Sequence, residues 1–231
     1  MKKNLILFLF LPIMAFSQSN FQKGEKLYEE SKYESARSFF ETYLKDNPNH
    51  TKSIEYLGDI AGNLKEWDNS IVYYSKLKKQ FPKNAMYWYK YGGSLGMKAK
   101  TSNKFKALSL IGDVETAFLT AANLDPKQTE TRWALVMLYL ELPGLIGGSE
   151  TKSKRYSEEL FKLSLVDGYL SRGHIAEYFK RYSIAEKNYL KAIEIGQSKV
   201  TYQKLASLYK NKMNAPEKAK ALLATFEKQK S

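Results

Sequence analysis

The stretch TKSIEYLGDIAGNLKEWDNSIVYYSKLKKQFPKN, residues 51–84, recurs in altered form along the chain with a 34-residue period. Gly24, Gly58 and Gly92 are evenly spaced by this period, and the same interval separates Pro48 from Pro82. A fixed period of this length is typical of a repeat architecture, in which each repeat is one supersecondary unit that packs on its neighbours. The period therefore predicts the fold of the whole chain.

Each copy of the repeat contains the spacing of a helix that is apolar on one face. Ala36, Phe40 and Tyr43 follow the i, i+4, i+7 pattern in the first copy. The proline near the end of the first two copies cannot continue a helix and disfavours helical geometry in the residue before it. We therefore predict that each copy is helical and that the first two copies end near their prolines.

The pattern resembles the tetratricopeptide repeat, whose landmarks fall in residues 51–84 at Leu57, Gly58, Trp67, Tyr74, Leu77 and Pro82. The resemblance implies an all-α, right-handed α-solenoid of the exported bacterial type. It implies two helices per repeat, which touch at a small residue such as Gly58 or Ser70. It also implies non-catalytic binding of a protein or peptide on the concave face, which the first helix of each repeat would line.

The 34-residue register predicts about six repeats. Two departures from the register are an extra ten residues near 98–113 and a longer, glycine-rich connector at 143–149. We expect the first to lengthen or cover a helix. Beyond the repeat itself, the later half resembles the helical-repeat component associated with certain solute transporters. The predicted repeats are residues 18–50, 51–84, 85–127, 128–167, 168–199 and 200–231.

Residues 1–17 have the features of a secretory signal peptide. Lys2 and Lys3 precede an apolar run over residues 5–16, and Ala15-Phe16-Ser17 forms a cleavage site before Gln18. A membrane anchor is the alternative, but the run is shorter than the roughly 20 residues that a spanning helix needs. We expect a periplasmic or secreted protein that keeps no stable membrane anchor.

Composition excludes several kinds of chemistry. The chain has no cysteine, so it has no disulfide, no thiolate metal ligand and no lipid-modified cysteine. The formal net charge of +13 comes mostly from lysines scattered along the chain. Scattered lysines favour a solvated basic surface over a dedicated anion site, and export argues against nucleic acid as a partner.

Residues 92–96, GGSLG, match the G-x-S-x-G motif of hydrolases, with Ser94 as nucleophile and His174 downstream. That motif requires a sharp turn between a strand and a helix. Gly92 is a repeat landmark, so Ser94 is expected in the middle of a helix. A serine hydrolase is therefore the least favoured function, and we predict no catalytic residue.

No cofactor or metal site is predicted. Residues 144–149 are rich in glycine but lack the lysine of a phosphate-binding loop. Ser149 is expected to cap the next helix. His50 and His174 are the only histidines, and they belong to no cluster with ligand spacing. We expect His50 in a loop and His174 on a helix surface.

By analogy with the ligand-facing positions of the family, nine residues are predicted to line the binding groove. Some family members hold a terminal carboxylate with Lys and Asn, but Glu55 and Asp59 occupy those places here and predict that this clamp is absent. Tyr89 and Trp133 are expected to be binding anchors that packing does not require. The alternative is a periplasmic carrier of a small ligand, in which the two inserts close a pocket. The predicted groove residues are Tyr56, Asp59, Asn63, Tyr89, Lys90, Met97, Trp133, Met137 and His174.

Overall fold

The computed structural model describes residues 20–229, and all regular secondary structure in that range is helical. The predicted signal peptide lies outside the described residues. Residues 20–29 are helical and belong to α1. A short 3-10 helix, Gly144–Ile146, precedes α8. The other helices are α2 Tyr33–Asp46, α3 Thr51–Asn63, α4 Trp67–Gln80, α5 Ala85–Thr101, α6 Lys104–Leu124, α7 Thr129–Glu141, α8 Glu150–Leu163, α9 Leu165–Tyr178, α10 Tyr182–Gly196, α11 Lys199–Asn211 and α12 Pro216–Lys228.

The chain divides into two compact units at Leu124, and each unit holds three helical hairpins. In the first unit α1 pairs with α2, α3 with α4, and α5 with α6; in the second, α7 pairs with α8, α9 with α10, and α11 with α12. Each unit has its own apolar core, which the second helix of one hairpin shares with the first helix of the next. No single hairpin buries its apolar face alone, as expected of a repeat protein.

The recurring glycine makes room for an aromatic ring of the partner helix. A Cβ at Gly58 would lie 2.8 Å from the ring of Tyr74, and one at Gly173 would lie 2.4 Å from the ring of Tyr189. Both tyrosines are buried, with 2% and 0% exposure. The glycine therefore sets the separation of the two helices, as the sequence predicts.

Small residues occupy the facing position on the second helix of the hairpin. Ala36 and Ala185 are fully buried, and Ala219 is nearly so. Ser70 has the same place in α4, where its hydroxyl donates to the carbonyl of Gly58 at 3.1 Å. The predicted small-residue contact is thus made by a methyl group or by a hydroxyl that finds a backbone acceptor.

Helix ends follow local sequence signals. The side chain of Asn84 accepts from the amides of Met86 and Tyr87 at the start of α5. Ser198 and Thr201 form a capping box at the start of α11. Proline also marks helix ends, since α4 ends two residues before Pro82.

A residue with positive φ recurs in the turn inside four of the hairpins. Ser31, Lys65, Lys180 and Asn214 have φ between 50° and 62°. One 34-residue period separates Ser31 from Lys65, and the same period separates Lys180 from Asn214. The left-handed conformation is therefore part of the repeat, although none of the four residues is glycine.

The two inserts differ in structure. The extra residues near 98–113 lengthen the third hairpin, so that α5 has 17 residues and α6 has 21, as predicted. The connector forms a short 3-10 helix that ends at Gly147, with φ 106°. Ser149 then caps α8 by accepting from the amide of Lys152, also as predicted. Among residues 20–229, no helix combines the length and apolar character that crossing a membrane requires.

Candidate functional site

The first unit has an open groove of about 370 Å³, which we call the first groove. Most of its lining comes from the first helices of the hairpins, α1, α3 and α5, as predicted for the binding face. Five of the six predicted positions of this unit line it: Asp59, Asn63, Tyr89, Lys90 and Met97. The remaining lining residues are Tyr28, Gly58, Gly62, Trp67, Ser70, Tyr74, Gly93 and Ser94.

An ion pair spans the first groove from α3 to α5. Lys90 Nζ lies 2.5 Å from Asp59 Oδ1, and the hydroxyl of Tyr74 also donates to this carboxylate. Burial and the nearby Asp59 raise the pKa of Tyr74, so its hydroxyl stays protonated and remains a donor. The carboxylate of Asp59 is therefore compensated, and the groove presents a neutral polar pair in place of a free negative charge.

Amide and apolar groups flank this ion pair. Asn63 donates its side-chain amide to the carbonyl of Asp59 at 3.0 Å, and its side chain also interacts with the hydroxyl of Tyr28. The side chain of Met97 is 40% exposed. The ring centroids of Tyr89 and Phe118 are 6.1 Å apart. The first groove thus combines hydrogen-bonding groups with flexible and aromatic apolar surface.

Tyr56, the sixth predicted position in this unit, does not line the first groove. Its ring stacks on Phe40 at 4.6 Å, beside the core cluster of the first two hairpins. Its hydroxyl donates to Glu25 at 3.1 Å. Burial, followed by the hydrogen bond to Glu25, raises the pKa of Tyr56 to about 12. The side chain joins neighbouring hairpins.

The second unit has a separate groove of about 290 Å³, the second groove, again lined by first helices. The three predicted positions of this unit, Trp133, Met137 and His174, all line it. The other four lining residues are not among the positions predicted from the sequence. Asp167 follows the predicted Trp133 by one 34-residue period, so extending the register from Trp133 would have found it. These additional residues are Asp167, Leu170, Val200 and Lys204.

Trp133 has a structural role that the sequence does not predict. Its Nε1 donates to Asp167 Oδ1 at 2.9 Å, which connects α7 to α9. Its ring also packs against the core cluster of the second unit. The expectation that packing does not require Trp133 is therefore wrong, because its partly buried side chain contacts the core cluster.

His174 is half-buried on the face of α9 that lines the second groove. Burial lowers the pKa of His174, and the positive charge of Lys204 lowers it further. Glu177 and Glu141 oppose this effect. Loss of hydration disfavours the charged imidazolium, so His174 is neutral near pH 7 and presents a neutral imidazole to the second groove.

Ser94 lies in the middle of α5, as the repeat register predicts. Its hydroxyl donates to the carbonyl of Lys90 at 2.8 Å and lies 2.7 Å from the hydroxyl of Ser70. Residues 92–96 are helical throughout, so the sharp turn that exposes a nucleophilic serine is not formed. His50, expected in a loop, is the N-cap of α3 and accepts from the amide of Ser53. Within residues 20–229 no three potential His, Asp or Glu ligands gather as a metal site.

Comparison with known proteins agrees with this architecture. Residues 53–84 match the family model of the tetratricopeptide repeat. A direct comparison with curated proteins finds no match. The repeat that decides the fold is thus the stretch in which the family pattern is strongest.

Solved structures give the same fold over most of the chain. A thermophilic tetratricopeptide-repeat protein from Thermus thermophilus is 16% identical, with a TM-score of 0.66, over 83% of this chain and 98% of its own. PilW, a type IV pilus biogenesis factor, is 13% identical with a TM-score of 0.66, over 92% of each chain. YrrB, a tetratricopeptide-repeat protein with an unusual peptide-binding site, is 15% identical with a TM-score of 0.54, over 79% of this chain and 87% of its own.

The described helices form an α-solenoid with the helical-hairpin fold of these tetratricopeptide-repeat structures. The resemblance to the tetratricopeptide-repeat family, and with it the predicted all-α fold, is confirmed.

Proposed function

We propose that this protein is an exported, non-catalytic scaffold that binds a protein or peptide partner in its first groove. The observation that carries the proposal is the gathering of Asp59, Asn63, Tyr89, Lys90 and Met97 on one open surface. Aromatic residues and Met are enriched at protein interfaces, while unpaired charges are depleted in interface centres. YrrB, a protein of the same fold, is described as having a peptide-binding site.

The chemistry of the first groove favours an uncharged stretch of peptide. The Lys90–Asp59 pair is internally neutral, so a ligand carboxylate would have to compete with Asp59 for Lys90. Asn63 and the hydroxyl of Tyr28 suit the amide groups of an extended chain, because each offers hydrogen-bonding groups. Met97 and Tyr89 suit an apolar side chain that follows.

Binding to a selected peptide tests the proposal directly. Peptides would be selected from a random display library on the wild-type protein, and their affinities measured for the double variant Tyr89→Ala/Met97→Ala. We expect affinity to fall by about tenfold or more, because truncating aromatic anchors in an interface typically costs over ~1 kcal/mol. A thermal melt of the same samples must show that the variant remains folded.

The matched control is Val72→Ala, which shortens an apolar side chain that is 64% exposed on α4 in the same unit and does not line the groove. It should leave peptide affinity unchanged. Equal affinity of all three proteins for every selected peptide would show that the partner uses another surface. Failure to select any peptide would count against peptide recognition itself.

The export part of the proposal rests on the features of residues 1–17. N-terminal sequencing of the protein secreted into a periplasm or medium is expected to begin at Gln18. A chain that keeps Met1 and sediments with membranes would contradict export as a free protein.

The alternative, a carrier of a small ligand, requires the inserts to close a pocket. Residues 98–113 contribute no lining residue to the first groove, and residues 143–149 contribute none to the second. Neither insert therefore closes either of these two grooves, which favours an extended ligand. Native mass spectrometry of the purified protein separates the two functions, since a carrier is expected to retain a bound small molecule.

A further inference from the structure

The lengthened third hairpin exposes apolar side chains that packing does not use. Phe105, in the first turn of α6, is 87% exposed, and Leu108 is 49% exposed. Gly112 stands on the same face, and a Cβ there would meet no atom within 4 Å. Phe105, Leu108 and Gly112 form the outer face of the insert. We call it the α6 patch.

Helical spacing separates the α6 patch from the buried side of the same helix. Phe105, Leu108 and Gly112 are spaced i, i+3, i+7 and so share one stripe. Val114 is 2% exposed and Ala117 is 1% exposed, and they begin the buried stripe that continues along α6. The exposed phenylalanine is thus a feature of the insert alone and contributes nothing to the packing of α5 on α6.

The charges in the first two turns of α6 are all positive, and the first acidic residues of the helix, Asp113 and Glu115, come after Gly112. Lys104 and Lys106 stand on either side of Phe105, and residues 99–112 contain no Asp or Glu. Lys98 pairs with Asp68. In the described part of the chain, neither Lys104 nor Lys106 forms an ion pair. An apolar ridge is therefore bordered by two uncompensated ammonium groups.

This combination suits the surface of an anionic lipid bilayer. An interfacial helix buries Phe and Leu at the boundary of headgroups and acyl chains, while Lys side chains extend to the anionic headgroups. A protruding ring also fits a deformable surface, since it can bury itself without a preformed pocket in the partner. The serine and glycine beside it, Ser109 and Gly112, present no bulk that would hold the helix away from lipid.

We propose that the first two turns of α6 form a reversible contact site for anionic phospholipid membranes. Phe105 and Leu108 enter the interfacial layer, and Lys104 and Lys106 contact lipid phosphates. The site is independent of the peptide groove, because none of these residues lines it.

Co-sedimentation with vesicles tests the site. The protein without residues 1–17 is used, because their apolar run would itself bind lipid, and all the described helices are retained. Vesicles of pure phosphatidylcholine are compared with vesicles in which one lipid in three is phosphatidylglycerol. We expect binding only to the anionic vesicles, with weaker binding at high salt as the charges are screened. Phe105→Ser/Leu108→Ser is expected to weaken it about tenfold, because two apolar side chains no longer leave water.

Two controls isolate the patch. Val72→Ser removes an apolar group that is 64% exposed elsewhere in the same unit and should leave binding unchanged. Lys104→Gln/Lys106→Gln should weaken binding more than Lys45→Gln/Lys83→Gln, which removes the same charge from exposed positions of the unit. Circular dichroism checks that each variant is folded.

Three outcomes would overturn the proposal. The first is absence of binding to anionic vesicles. The second is an equal loss of vesicle binding for the two double-lysine variants, or no loss of binding for the Phe105 variant. Either result would assign binding to the diffuse positive charge. The third is binding to soluble polyglutamate that depends on Phe105 and is as tight as binding to vesicles. That result would identify an acidic protein as the occupant.

Discussion

Tyrosine hydroxyls satisfy their hydrogen bonds on carboxylates of the neighbouring helix. Tyr189 is fully buried, and its hydroxyl donates to Glu177 at 2.7 Å. The hydroxyl of Tyr209 donates to Glu186 at 2.7 Å. A buried hydroxyl without an acceptor would cost about 1–3 kcal/mol. In the described residues no buried side-chain polar atom lacks a partner, so the aromatic core gains apolar contact without this penalty.

At the residue scale, Gly58→Ala is expected to destabilise the first unit. The added methyl would lie 2.8 Å from the ring of Tyr74, which cannot move away easily because Asp59 holds its hydroxyl. Overpacking of this kind costs about 1–3 kcal/mol. Urea unfolding of the two proteins measures the difference.

Gly93→Ala is the matched control, because Gly93 is also helical and a Cβ there would meet nothing within 4 Å. Replacing glycine inside a helix by alanine should stabilise it by up to about 1 kcal/mol. A loss for Gly93→Ala equal to that for Gly58→Ala would show that the ring contact does not set the helix separation.

His174 predicts a pH dependence in the second unit. Burial and Lys204 lower its pKa in the folded protein, below the value of about 6.5 expected in the unfolded chain. The unfolded state therefore binds a proton first as pH falls, and the stabilising contribution of the neutral ring is lost below about pH 6.5. Melting temperatures between pH 8 and pH 5 should fall more for the wild type than for His174→Gln. Parallel curves would contradict this assignment.

At the scale of the element, the second helix of each hairpin depends on one small residue. Ala185 is fully buried in the core cluster that also contains Tyr189. Ala185→Leu is expected to lower the free energy of unfolding by about 1–3 kcal/mol, because the added volume has no space. Lys187→Ala, on the exposed side of α10, should change it by less than about 0.5 kcal/mol. Equal losses in denaturant melts would mean that the buried face of α10 is misassigned.

At the scale of the whole molecule, two units present grooves of unlike chemistry. The first has a neutral ion pair between Asp59 and Lys90. The second has a neutral imidazole, His174, beside the ammonium of Lys204. Under the proposed function these are separate recognition surfaces, and the formal charge of +13 favours encounter with acidic partners or anionic surfaces.

The sequence by itself determined the helical class and the 34-residue repeat. These follow from local chemistry and periodicity: helix faces repeat with the helical turn, prolines end helices, and one register applies to every copy. The same register put Ser94 inside a helix. Of the nine groove positions that the family resemblance implies, eight line one of the two grooves. The binding role of these residues stays a prediction.

Only the tertiary structure decided which side chains on those faces are free. Tyr56 has the sequence features of a groove residue, yet its ring stacks on Phe40 of another hairpin. Trp133 is fixed by Asp167, and the charge of Asp59 is compensated by Lys90 on the next hairpin. Such pairings depend on how neighbouring hairpins stack, which periodicity within one helix does not encode, so packing decided between core and surface.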